Sequence, residues 1–201
     1  MAVSDISICN RALQKLGAVA ITSLDDENVK ARAMRLAFEP IRRAEIRRRR
    51  WRFAIKRVTL PALSAAPDSD YAYQYQLPND YLRLIEGGDL RTCADLTDYR
   101  NGIEGLYSVE GGLLLTNLGA PLSIRYLADI TDASLFDSAF VESFAARLAL
   151  EACEAITESS SKKNDLVADY RYCIREASAA NAFERASEAV ADDTWIMSRA
   201  Q

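Results

Sequence analysis

The sequence predicts an α+β protein, a bundle of about four helices with a small antiparallel β lobe inserted into it and an extended C-terminal tail. Three observations carry that prediction. Apolar residues recur at helical spacing up to residue 53 and again after residue 131. Between them, over 54–130, the period drops to two, as in half-buried strands. The loops of that middle stretch are rich in Pro, Gly and Asp and no helical pattern separates the strands, which favours antiparallel pairing. The chain thus divides into N-terminal helices (1–53), the inserted β lobe (54–130), C-terminal helices completing the bundle (131–189) and a tail (190–201). Its 201 residues, 49% of them hydrophobic, suffice to fill a core.

The first helix is expected over about 5–16, with Ser4 as its cap, Ile6, Cys9, Leu13 and Leu16 at helical spacing, and Gly17 at its C-terminal end. In "SLDDENVKARAM", Ser23 followed three residues later by Asp26 resembles a capping box and would put three acids in the first turn of the second helix. Val29, Ala33 and Leu36 form its expected inward stripe, continued by Ile41 and Ile46, and Pro40 should bend or split it. "AIKRVTL", "YAYQYQL", "YLRLIEG" and "LSIRYLA" then alternate like strands, and "GLYSVEGGLLLTN" reads as a hairpin turning at Glu110, Gly111 and Gly112. Phe136, Phe140, Phe144, Leu148, Ala152 and Ile156 mark the third helix at steps of four. After the polar turn "TESSSKKND", Val167, Tyr170, Ile174 and Ala177 mark the fourth, which grows alanine-rich toward Ala189. The last residues, "ADDTWIMSRAQ", have little left to fold against.

Composition narrows the chemistry. The chain has no histidine, which removes the commonest general base, the Ser-His and Cys-His nucleophile systems and most zinc sites at one stroke. Cys9, Cys93, Cys153 and Cys173 lie far apart and read as small buried thiols in a reducing compartment. No P-loop, dinucleotide fingerprint, HExxH or GxSxG occurs, so no cofactor or metal is expected. Adjacent acids, Asp25 with Asp26 and Asp192 with Asp193, read as solvated charge rather than as a hydrolase pair. No apolar run approaches the roughly 18 residues of a membrane span, and polar residues break up the N-terminus, so neither a span nor a leader is expected.

The net charge of −4 conceals a segregation: residues 29–52 carry ten Lys or Arg against two Glu, while the flanking segments are acidic. The stretch "EIRRRRWRF" at 45–53 is its focus. Three readings stay open for Arg43 and Arg47, Arg48, Arg49 and Arg50: a solvated helix end favoured by the helix dipole, contact with an acidic neighbouring subunit, or contact with DNA phosphates. Trp51 and Phe53 are expected in the core, and the tyrosines near 71–81 are expected from strand alternation. Thr194, Trp195, Ile196 and Met197 put apolar area on a tail; they either fold back on the bundle or dock onto another protein.

Four motifs stand in order: "ALQKLG" in the first helix, "DDENVKAR" at the start of the second, the basic run ending in "WRFA", and "YQYQLPNDYLRL". As a set they resemble the tail tubular protein A family, the head-to-tail connector adaptors of short-tailed bacteriophages. The resemblance covers residues 8 to about 86 well, and the later helices match only in layout. The chain departs from the family at Arg49 and Arg50, where members more often carry a His-Pro pair ahead of the tryptophan.

The resemblance implies a structural virion protein without catalysis, assembled in the host cytoplasm and placed in the tail connector. Twelve copies would form a ring beneath the portal protein, join it to the tail nozzle or tail tube protein, and surround passing double-stranded DNA. Thr194 to Met197 would then dock the portal, and the basic cluster would face a neighbouring subunit or the channel. Two further expectations stand beside this one: a small nucleic-acid-binding module built on Arg47 to Arg50, and, less favoured by the residues, a carboxylate hydrolase.

Overall fold

A computed structural model describes residues 3–85 and 107–183. Helix α1 (Asp5–Leu16) begins at Ser4, whose hydroxyl accepts from the Ser7 N–H while the Ser7 hydroxyl accepts from the Ser4 N–H. It ends at Gly17, which takes the left-handed conformation (φ 70°) that a side chain disfavours. Cys9, Leu13 and Leu16 are buried as the spacing predicts, together with Ile8 and Ala12.

Helix α2 (Val29–Arg48) departs from its predicted start. Its cap is Asn28, whose side chain accepts from Ala31 N at 2.8 Å. Ser23 and Asp26 lie in the preceding turn, where the Asp26 carboxylate accepts from the backbone of Thr22 (3.1 Å) and Ser23 (3.2 Å). The hydrogen-bonding chemistry of a box is present, but it closes a loop rather than opening a helix.

The inward face differs too: Ala31, Met34, Phe38, Ile41, Arg42, Glu45 and Ile46 are buried, whereas Val29 and Leu36 are 64% and 69% exposed. Pro40 lies inside an unbroken helix. The carbonyl that loses its donor to Pro40 belongs to Leu36, on the face where water can replace it.

Six strands follow among the described residues: β1 (Ile55–Leu60), β2 (Tyr73–Gln76), β3 (Tyr81–Ile85), β4 (Tyr107–Glu110), β5 (Leu113–Thr116) and β6 (Leu122–Ala128). They form two three-stranded antiparallel sheets, ordered β1-β6-β3 and β2-β5-β4, where one sheet is the simpler expectation. In the first, Ile55 faces Leu127 and Leu60 faces Leu122. In the second, β5 sits between its partners, so that Thr116 is opposite both Tyr73 and Tyr107. The β4–β5 hairpin turns on Gly111 (φ 55°) and Gly112 (φ 81°) alone, and Glu110 closes β4. Leu122, Ile124 and Tyr126 point inward, as do Tyr75 and Leu77, while Tyr73 stays exposed at its strand end.

Helices α3 (Ser138–Thr157) and α4 (Ser160–Phe183) complete the bundle, joined only by Glu158 in the left-handed conformation and Ser159. The Asp137 carboxylate caps α3 by accepting from Ala139 and Phe140. α3 packs on α1, α2 and α4, and the phenylalanine ladder of the sequence becomes the centre of the core. Phe140 lies 5.0 Å from Trp51 and 4.9 Å from Phe53 between ring centroids, and Phe144 lies 5.1 Å from Phe38. Trp51 is fully buried and Phe53 half-buried against it. The buried side chains of helices and sheets form one continuous cluster. Among the described residues no helix is long and apolar enough to cross a membrane.

Candidate functional site

The basic run becomes a corner. Arg47 and Arg48 form the last turn of α2, and Arg49 breaks out of the helix into extended backbone (φ −132°, ψ 160°). Trp51 then turns back under the helix, and its indole N–H donates to the Glu45 carbonyl at 2.9 Å in a buried setting. A short 3-10 turn at Arg52–Ala54 leads into β1. The corner is tied to α4 at Asn181, whose side chain donates to the Arg50 carbonyl (2.8 Å) and accepts from the Arg52 N–H (3.0 Å). The apolar pull of Trp51 into the Phe140 cluster therefore decides where the helix stops and which way the arginines fan out.

Two anionic groups organise the arginines from beneath. Glu45 is 3% exposed, and the Tyr170 hydroxyl faces both its carboxylate oxygens, at 2.8 and 2.9 Å. Arg48 donates to that hydroxyl at 3.2 Å and stands 3.9 Å from Glu45; Arg147, lying over the Tyr170 ring, stands 3.8 Å from it. Burial, ahead of the hydrogen bond to Glu45, pushes the Tyr170 hydroxyl up to about 12. Asp129, at the end of β6, takes Arg42 at 3.0 Å and Arg43 at 3.3 Å. Arg43 is thereby committed to an intramolecular pair, which sets it apart from Arg47, Arg49 and Arg50.

Arg47, Arg49 and Arg50 form no ion pair among the described residues. The Nε of Arg49 is buried and has no hydrogen-bond partner there. Arg48 and Arg49 line a groove of about 620 Å³ between the end of α2 and the α3–α4 pair, together with Arg147, Arg171 and Arg175. Its floor is Leu150, Val167 and Ile174, and no carboxylate lines it. Two hollows adjoin it. One, of about 310 Å³, shares Arg48 and Arg49 and adds Arg50 and Arg83; the other, of about 580 Å³, adds Arg47 and includes Glu45 and Glu151.

Of the sequence candidates, the structure brings Arg47, Arg48, Arg49 and Arg50 onto one surface and turns Arg43 away to Asp129. Thr194, Trp195, Ile196 and Met197 lie outside the described residues. Sequence reasoning missed Arg83, Arg147, Arg171 and Arg175. A signal for the last two was present: Val167, Arg171, Ile174, Arg175 and Ser178 share one helical face of α4.

Among the described residues no three His, Cys, Asp or Glu side chains converge as metal ligands would. Cys9 and Cys153 are buried thiols and Cys173 is half-buried; burial ahead of nearby Asp5 raises the Cys9 thiol to about 12, away from reactivity at neutral pH. The arrangement of guanidinium groups is suited to holding an anion. No protein-family model matches the sequence, and no curated protein matches it.

Proposed function

We infer that the chain is a structural head-to-tail adaptor that closes into a ring, with the portal protein on one side, the tail nozzle or tube on the other and double-stranded DNA passing through. The observation that carries this reading is the outward face of α2. A 20-residue helix keeps Val29 and Leu36 in solvent and leads into Arg47, Arg49 and Arg50, which form no ion pair among the described residues. A subunit of a closed ring needs unlike faces that complement each other, and the solvent-facing apolar stripe of α2 supplies one such face. The four ordered motifs described above supply the identity of the assembly, and the docking role of Thr194 to Met197 follows from the same resemblance.

Electron microscopy of the purified chain, alone and mixed with the portal protein of the same virus, tests the reading. Rings seated on portals are expected, and a chain lacking residues 190–201 should stay folded and cease to co-sediment with portals. Only solitary copies in the mixture would overturn the ring, and a truncated chain that still co-sediments would overturn the tail assignment.

A further inference from the structure

We propose that the arginine surface around the end of α2 is a binding site for the phosphate backbone of double-stranded DNA. The inference deepens the adaptor reading and rests on it for the identity of the polyanion. Eight arginines, four from the corner at 47–50 and four from β3, α3 and α4, line three adjoining hollows that share Arg48. Glu45 and Glu151 are the two acids among the lining residues, and both already stand within 4 Å of Arg147.

The shape of this surface selects among anions. A lone phosphate or a single carboxylate would satisfy one guanidinium fork, whereas charge spread over three hollows matches a polymer with an anion at every repeat. Arg49 lines the groove of about 620 Å³, and its Nε has no hydrogen-bond partner among the described residues, so its guanidinium keeps donor capacity that folding does not use. The aromatic rings lining the hollows, Trp51 and Tyr170, are both buried, so no platform is offered to an unstacked base. Contacts confined to phosphate hold a duplex without reading its sequence. They also weaken steeply with salt, which suits DNA that must slide past.

The test is fluorescence anisotropy of a labelled mixed-sequence duplex of about 20 base pairs with the full chain across a salt series, each neutralised phosphate contributing about −0.9 to the slope of log K against log salt. Arg171 and Arg175 are exposed, so Arg171→Gln with Arg175→Gln leaves the core intact. That pair should make the slope shallower by about two and raise Kd at least about tenfold at low salt. Arg32→Gln, exposed at the other end of α2, should change neither.

Absence of duplex binding at low salt would overturn the proposal, as would a slope indifferent to the double substitution. Polyglutamate displacing the duplex at equal charge concentration would assign the surface to an acidic peptide instead and overturn it as well. Rings on portals with no duplex binding would sink this inference alone, while duplex binding by a chain that never forms rings would sink the adaptor reading and leave the site standing.

Discussion

Glu45 is the residue on which most of the interior chemistry turns. A carboxylate 3% exposed among helices is costly unless it is fully engaged, and Tyr170 supplies its two short contacts. Tyr170→Phe keeps the ring under Arg147 but strips the carboxylate of its hydroxyl donor, and should cost about 1–3 kcal/mol in urea unfolding. The same hydroxyl sets an alkaline limit. Tyr170 and Tyr126 are both pushed up to about 12, each by burial first and then by the carboxylate it donates to, Glu45 and Asp80. A phenol raised in the folded state loses its proton later than in the unfolded chain. Its stabilisation is therefore complete below the ordinary tyrosine value of about 10 and disappears as pH climbs through about 12. Unfolding free energy should decline over that interval, and substituting both tyrosines by Phe should flatten the decline. None of this was visible in the sequence, where Glu45 was one of two acids in a basic strip and Tyr170 one apolar-stripe position among four.

Helices and strands differed in how openly the sequence displayed them. α1 was legible from end to end because serine, apolar spacing and glycine agree on its limits. α2 was legible as a helix but not in its start or its orientation. Ser23 and Asp26 form the bonds that a cap would form, yet within a loop. Val29, Ala33 and Leu36 are as well spaced as Ala31, Met34 and Phe38, so periodicity alone does not say which stripe meets α3. The cap assignment is checked directly: Asn28→Ala should destabilise by about 1 kcal/mol and Ser23→Ala by less than about half of that, in thermal or denaturant unfolding.

Division of the strands into two sheets was hidden for another reason. Pairings such as Tyr75 with Leu114 join residues far apart in sequence, and alternation reports a buried face, not a partner. The hairpin, being local, was visible. At Gly112, where φ is 81° and a Cβ would meet nothing, Gly112→Ala should cost about 1–2 kcal/mol from the backbone alone, measurable as a lowered Tm.

For the whole molecule, the decisive property is the apolar and cationic surface that α2 and its end keep in solvent. Leu36→Glu removes no buried contact and should shift unfolding free energy by no more than about 0.5 kcal/mol. The same substitution should reduce ring formation on portals in micrographs; undiminished rings would mean that α2 faces away from the neighbouring copy. The basic half of the candidate site was readable because four arginines are consecutive. Its other half was not, because Arg83, Arg147, Arg171 and Arg175 come together only when β3, α3 and α4 fold around the end of α2.

The Asn181 clasp carries a mechanical corollary. One amide side chain grips the main chain on both sides of Trp51 and sits two residues before Phe183. The bend and the end of α4 can therefore part only when the three hydrogen bonds meeting at Asn181 are given up together.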